Sequence, residues 1–157
     1  MNYKKLYLGQ EIEQEDWSFG LGSMYLAGPR NPKGKSWRLE FIEKVENIGT
    51  PVSFFIPETK SQLKGGFNKS YLDDVYDWQH MAISLASIIV FWYPVGVIDT
   101  QSYVEFGAWS KSERIFVGRE NNHHNQYIDW LLHKEQKLFP AESMDELVDM
   151  VIHWLKE

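Results

Sequence analysis

The chain has 157 residues, which is enough for one domain with its own hydrophobic core and too few for two ordinary domains. Its formal net charge of −6 argues against a protein that binds nucleic acid polymers through a basic face, although a single nucleoside or nucleotide is not excluded as a ligand. The absence of cysteine excludes disulfides, thiolate metal sites and cysteine nucleophiles. The N-terminus lacks the pattern of a signal peptide and no segment reaches membrane-spanning length, so we expect a cytoplasmic protein without membrane partners.

The first residues differ in composition from the rest of the chain. Residues 3–8 predict a short strand, whereas residues 9–22 are acidic and interrupted by glycine. We therefore predict an N-terminal extension over residues 1–22 and a single α/β domain over residues 23–157.

From residue 23 onwards, predicted strands alternate with predicted helices. Apolar runs rich in β-branched and aromatic residues predict strands, and apolar residues at helical spacing predict helices. In chain order these are strand 24–27, helix 36–49, strand 52–56, a helix that begins at Asp73 or Asp74, strand 88–93, helix 101–112, strand 115–117, helix 125–134, a short strand at 138–139 and a helix that begins at Ser143. Residues 58–70 form a polar loop whose length is typical of lids, binding loops or disordered segments. The alternation predicts an α/β fold, a flavodoxin-like or Rossmann-like three-layer sandwich with a five-stranded, mainly parallel sheet.

Two carboxylates follow the apolar run 88–93. Asp99 and Glu105 flank the predicted start of a helix, and Ser102 precedes Glu105 by three residues, which is the spacing of a capping box. In open α/β sheets, ligands bind near the carboxyl ends of the strands, where these residues lie. We place Glu105 in the first helical turn, where the helix dipole favours its ionised form. An ionised carboxylate beside a second acid is suited to nucleophilic attack on the anomeric carbon of a sugar.

Three segments together give a family resemblance. They are Y-L-A-G-P at residues 25–29, I-I-V-F-W at residues 88–92, and Y-V-E-F-G-A at residues 103–108. In this order they resemble the nucleoside 2-deoxyribosyltransferase family, over roughly residues 23–120. The resemblance implies that Glu105 is the nucleophile and that Asp99 holds the sugar hydroxyls or assists the base. It also implies that Tyr25 orients the nucleophile.

The chain departs from the family pattern in the helix before the central strand. The family commonly has a further acid there that contacts the substrate, whereas this chain has Gln79, with Asp77 two residues earlier. A glutamine can form a hydrogen bond with a base but cannot donate a proton at neutral pH, so proton delivery falls to Asp99, Asp77 or water. Beside Asp77 and Gln79, the predicted substrate-binding residues are Gly28, Pro29, Trp92 and Ser102.

Several other side chains allow two interpretations. Arg30, Lys33 and Lys35 could hold a 5′-phosphate, although a solvated basic loop explains them as well. The adjacent His123 and His124 lack the spacing of metal ligands, and we interpret them as loop residues. Trp92 could stack on a nucleobase or simply pack beneath a helix.

The resemblance implies an enzyme that transfers 2-deoxyribose between nucleobases through a covalent glutamyl-deoxyribosyl intermediate, without a metal or organic cofactor. Its partners are then a deoxynucleoside and a free nucleobase, and the chain forms a homo-oligomer, because the family often builds its site at subunit contacts. Two alternatives stay open: hydrolysis of a nucleoside or nucleotide, and a non-catalytic nucleotide-binding or sensing module, which Gln79 makes conceivable.

Overall fold

The structure, a computed structural model, describes residues 3–30, 34–66, 72–97, 99–120 and 125–157. The strands of this part of the chain form one parallel sheet in the order β1-β3-β2-β4-β5. They are β1 (Tyr3–Tyr7), β2 (Ser23–Ala27), β3 (Val52–Ile56), β4 (Ile88–Tyr93) and β5 (Ile115–Arg119).

Helices cover both faces of the sheet, so the predicted three-layer α/β fold of flavodoxin-like type is confirmed. The helices of the described residues are α1 (Gln14–Trp17), α2 (Trp37–Ile48), α3 (Lys60–Leu63), α4 (Leu72–Leu85), α5 (Thr100–Trp109), α6 (Gln126–Gln136) and α7 (Met144–Lys156). The core on one face is formed with α2 and α7, and the core on the other face with α4, α5 and α6. Every residue of β2, β3 and β4 is buried, as continuous apolar strands of a parallel sheet require. No helix among the described residues is both long enough and apolar enough to cross a membrane.

The order of the strands fixes where a ligand can bind. The chain leaves β2 towards β3 on one side and returns to β4 on the other side, so the strand order switches direction between β2 and β4. The carboxyl ends of these two strands therefore border the crevice in which open α/β sheets bind ligands. Gly28 keeps them close together, because a Cβ atom at this position would lie 2.6 Å from the Trp92 carbonyl oxygen.

The five strands of the sheet include β1, the short strand predicted at residues 3–8, but not the strand predicted at residues 138–139. No strand forms at residues 138–139. Phe139 there is 69% exposed, and Ala141 alone makes an isolated bridge to Gly118. Pro140 has no N–H to donate, which limits a longer ladder at this edge. Instead, β1 completes the sheet through five residue pairs with β3.

The N-terminal segment is thus attached to the sheet through β1. The segment after it also contacts the sheet, since the Leu21 N–H donates to the Pro51 carbonyl and the Ser53 N–H to the Gly22 carbonyl. The division of the chain at residue 22 stays a prediction. The start of α4 differs slightly from the prediction, because Leu72 precedes Asp73 and Asp74, which lie in the first turn.

Candidate active site

The start of α5 is capped differently from the prediction. Asp99 is the N-cap residue, and its side chain accepts a hydrogen bond from the Gln101 N–H at 3.1 Å. Ser102 Oγ donates to the main-chain oxygen of Asp99, also at 3.1 Å, so the predicted capping box of Ser102 and Glu105 is wrong. Aspartate is among the preferred N-cap residues, and here it occupies that position three residues earlier. Glu105 consequently lies in the second turn of α5.

A small polar cavity opens at the switch point of the sheet. It has a volume of about 170 Å³, which is below the range of about 300–1,000 Å³ usual for drug-sized ligands. It brings together five residues that the sequence predicts for the site: Tyr25, Gly28, Gln79, Asp99 and Glu105. Arg30, a candidate phosphate ligand in the sequence, also lines it, together with four polar residues that the sequence did not single out: Arg38, Glu58, Gln62 and Gln101.

A second, more apolar cavity meets the first at Glu105. It has a volume of about 510 Å³ and lies between α4 and α5. The two cavities share Gln79, Gln101 and Glu105. The remaining lining of the second cavity consists of Tyr76, His80, Ile83, Val104, Ala108 and Trp109. A ligand with a polar part and a flat apolar part could therefore occupy both cavities and pass Glu105 at its middle.

Tyr25 and Glu105 form a hydrogen bond at the bottom of the site. Burial raises the pKa of the Tyr25 hydroxyl well above its usual value, so Tyr25 stays protonated and donates. Burial also raises the pKa of Glu105 to about 7; Asp99 contributes to the increase, while Arg38 and the bond from Tyr25 oppose it. We expected the helix dipole to favour the ionised form of Glu105, but the protonated form is favoured, so this expectation is wrong. Glu105 lies beyond the first turn, and the desolvation of its carboxylate outweighs the dipole.

Arg38 and Glu58 form a buried ion pair beside this hydrogen bond. Their side chains are 3% and 2% exposed, and an Arg38 Nη atom donates to Glu58. Glu58 could have been selected from its place after β3, because the carboxyl ends of parallel strands line ligand sites. Arg38 gives no such signal, since a single cation in a polar helix turn is ordinary in sequence.

Gln79 and Gln101 join the two helices that border the second cavity. Gln101 Nε2 lies 2.6 Å from Gln79 Oε1. Whichever amide donates, one NH₂ group and one carbonyl of the pair remain for a ligand. Neither side chain can supply a proton at neutral pH.

The structure places the other predicted residues away from these two cavities. Asp77 is exposed on α4, and the Pro29 carbonyl accepts a hydrogen bond from Trp37 Nε1 at 3.0 Å. Trp92 lies on the opposite face of the sheet, where its ring packs against Gly118. Ser102 is buried and bonded to Asp99.

The basic and histidine residues have separate positions. Arg30 lines the polar cavity, but Lys35 lines a groove of about 980 Å³ on the other face of the sheet. His80 lines the second cavity. Lys33, His123 and His124 lie outside the described residues. Among the residues that the structure describes, no three His, Cys, Asp or Glu side chains gather as a metal site requires.

Comparisons with known proteins identify the family and a similar fold. The family described as "nucleoside 2-deoxyribosyltransferase like" matches residues 22–123, more than half of the chain. The fold is similar to the crystal structure of a conserved protein from Enterococcus faecalis V583, with a TM-score of 0.60 and 12% sequence identity over 84% of this chain and 98% of that chain. At this identity the likeness concerns the fold alone. A search of curated proteins gave no match. The match over residues 22–123 confirms the resemblance seen in the sequence, and the chain belongs to the nucleoside 2-deoxyribosyltransferase-like family.

Proposed function

We propose that the protein transfers 2-deoxyribose between nucleobases and that Glu105 is the nucleophile. The observation that carries this proposal is the place of Glu105, at the junction of a small polar cavity and a larger apolar one. A nucleoside has the same two-part character, because its polar sugar and flat base are joined at C1′. A carboxylate at the junction is therefore suitably placed to attack that carbon.

In this reaction the ionised Glu105 carboxylate attacks C1′. The bond between C1′ and the base nitrogen breaks as the bond between C1′ and the Glu105 oxygen forms, and the base leaves with the electron pair. A second base then attacks C1′ from the vacated side, which releases Glu105 and gives net retention of configuration. Tyr25 stays protonated and holds the carboxylate in position. If water attacks in place of the second base, the same site hydrolyses the nucleoside.

We further assign recognition of the base to the amide pair of Gln79 and Gln101. The free NH₂ group and the free carbonyl of the pair match the adjacent acceptor and donor found on the edges of nucleobases. Because neither amide donates a proton, the proton for the departing base comes from water, either directly or relayed through the Asp99 carboxylate. Asp77, the other candidate for this role, is exposed and lines neither cavity.

The cavity favours a nucleoside over a nucleotide. The Arg30 guanidinium, which could hold a 5′-phosphate, is already engaged. Its Nε atom lies 3.3 Å from the Glu58 carboxylate, and an Nη atom donates to the main-chain oxygens of Gln62 and Gly66. A phosphate would compete with these protein acceptors for the guanidinium.

A homo-oligomer and a cytoplasmic location also belong to this proposal. Tyr76 and Val104, at the second cavity, are 50% and 64% exposed and present apolar surface that a second copy could cover. Sedimentation velocity tests this point. A single species with the mass of one 18.5 kDa chain at all concentrations would contradict the oligomer.

The decisive experiment incubates the protein with deoxyadenosine, with and without a second base. We expect free adenine and a new deoxynucleoside from the wild type, and no product from E105Q. The control E135Q changes a glutamate on α6 that lines neither cavity, and its activity should equal that of the wild type.

Other results would select the alternatives. Free adenine with deoxyribose indicates a hydrolase, and release only from deoxyadenosine monophosphate indicates a nucleotide substrate. Binding of deoxyadenosine with no release of base favours a sensing module. Turnover by E105Q at the wild-type rate removes Glu105 from its role.

A further inference from the structure

Arg38 is a buried cation in an unusual place. It lies in the first turn of α2, where the positive end of the helix dipole disfavours a positive charge. Its side chain nevertheless is 3% exposed, with Nε 2.7 Å from the Leu26 carbonyl and Nη2 2.9 Å from the Gly28 carbonyl. Burying a charge this completely costs free energy unless the charge is paired and hydrogen-bonded.

Glu58 supplies the counter-charge that fixes Arg38. The Glu58 carboxylate accepts hydrogen bonds from an Arg38 Nη atom and, at 2.5 Å, from Ser36 Oγ. With the two carbonyls at the end of β2, all three nitrogens of the guanidinium have acceptors, so it cannot turn away from the site. Arginine also keeps its charge over the whole physiological pH range.

The fixed guanidinium lines the same polar cavity as Glu105 and Tyr25. It opposes the burial and the Asp99 charge that raise the pKa of Glu105. The titratable and charged groups around Glu105 come from several elements: Tyr25 of β2, Arg38 of α2, Asp99 at the start of α5, Tyr76 and His80 of α4, and Arg30 and Glu58 of the loops after β2 and β3. Of the groups that shift the pKa of Glu105, Arg38 is the one that carries a positive charge.

We propose that Arg38 is a positioning residue for the reaction, and that its guanidinium, held by Glu58 and by the Leu26 and Gly28 carbonyls, stabilises the ionised form of the Glu105 carboxylate beside the sugar. The inference rests on the proposed function, in which Glu105 is the nucleophile. On this inference, Arg38 helps to set the pH range in which Glu105 is ionised, although it lies outside the sequence motif that contains Glu105.

The test measures the ionisation of Glu105 directly, without any substrate. Carbon-13 NMR of protein labelled at the glutamate carboxyl carbons follows each carboxyl group through a pH titration, and the Glu105 signal is the one missing from E105Q. We expect a midpoint of about 7 in the wild type. In R38M and R38Q the midpoint should rise by about 1–3 pH units, the usual effect of removing a nearby opposite charge. R38K should recover part of the difference.

The variants R38Q and R119M separate this effect from general damage to the fold. R38Q can still donate to the neighbouring carbonyls and serves if R38M does not fold. R119M removes another largely buried, paired arginine, at the end of β5 and away from both cavities, and should leave the Glu105 midpoint unchanged. If the reaction is as proposed, the acid limb of its pH profile moves with the midpoint.

The outcomes are distinct from those of the activity assay. An unchanged Glu105 midpoint in folded R38Q overturns the role of Arg38, even if the wild type transfers deoxyribose. A raised midpoint in a protein that releases no base supports the electrostatic role of Arg38 and contradicts the proposed reaction. An equal rise in R119M would also overturn the inference, because the effect would then not be specific to Arg38.

Discussion

At the residue scale, Glu105 has two opposing requirements. As the proposed nucleophile it must be ionised, whereas burial favours its protonated form and raises its pKa to about 7. The hydrogen bond from Tyr25 and the charge of Arg38 act in the other direction. The carboxylate is therefore only partly ionised near neutral pH, and small changes around it should alter activity.

Removal of the Tyr25 hydroxyl should weaken the reaction. Y25F loses a hydrogen bond to a charged group, which corresponds to a fall in kcat/KM of about 10–100-fold. The acid limb of the pH profile should also move to higher pH, because this bond lowers the pKa of Glu105. Y3F is a suitable control, since the Tyr3 hydroxyl bonds to the Glu46 carbonyl at the edge of the sheet. Equal kcat/KM values for Y25F and the wild type would contradict the orienting role.

The buried carboxylate should also make stability depend on pH. The pKa of Glu105 in the folded protein lies above its ordinary value of 4.5, so its contribution to stability is complete below about pH 4.5 and is lost as the pH rises through about 7. At pH 8, E105Q should therefore be more stable than the wild type, on the order of 2–3 kcal/mol in the free energy of unfolding. Urea unfolding at pH 8 and pH 4 measures the difference. A difference of the same size at both pH values would contradict this origin.

At the scale of elements, the Arg38–Glu58 pair joins three parts of the fold. Arg38 comes from α2, its carbonyl partners from the end of β2, and Glu58 from the loop after β3. A second ion pair, between Lys44 and Asp145, joins α2 to α7 at the surface. Both pairs connect separate elements of the fold, but only the first is buried.

Loss of one partner of the buried pair should be costly. E58Q leaves the Arg38 guanidinium buried without a counter-charge, and we expect the free energy of unfolding to fall by about 3–5 kcal/mol. D145N breaks the exposed pair, which should cost about 1 kcal/mol or less. Chemical denaturation of the two variants provides the comparison. If E58Q and D145N lost the same free energy of unfolding, burial would not determine how much each ion pair contributes to stability.

At the scale of the whole molecule, the parallel sheet gathers the site from distant parts of the chain. Tyr25 lies in β2, Glu58 follows β3 and Glu105 lies in the helix after β4, and the topology brings them to one cavity at the switch point. The N-terminal strand β1 lies at the far edge of this sheet and contributes no residue to either cavity.

A chain that begins at residue 23 tests the role of the N-terminal segment. Loss of the N-terminal segment would expose the edge of β3, which is otherwise paired with β1 over five residues. We expect a lower melting temperature and self-association, as measured by circular dichroism and light scattering. Unchanged stability and a monodisperse chain would instead favour residues 1–22 as a dispensable extension.

The sequence by itself determined the fold class, most of the elements and a residue that lines both cavities, Glu105. The apolar runs at β2, β3 and β4 are continuous because those strands are buried on both faces, so they are visible without a structure. The motif at residues 103–108 likewise identified Glu105, and the family match includes it. Local chemistry predicts such features because it depends on neighbours in the chain.

Only the tertiary structure decided which side chains share a cavity and what charge Glu105 carries. Trp92 was separated from the site because alternate residues of a strand face opposite sides of the sheet. Arg38 and Glu58 were brought into it by contacts between residues 20 positions apart. The pKa of Glu105 depends on burial and on charges from other elements, and neither quantity is encoded in the local sequence pattern.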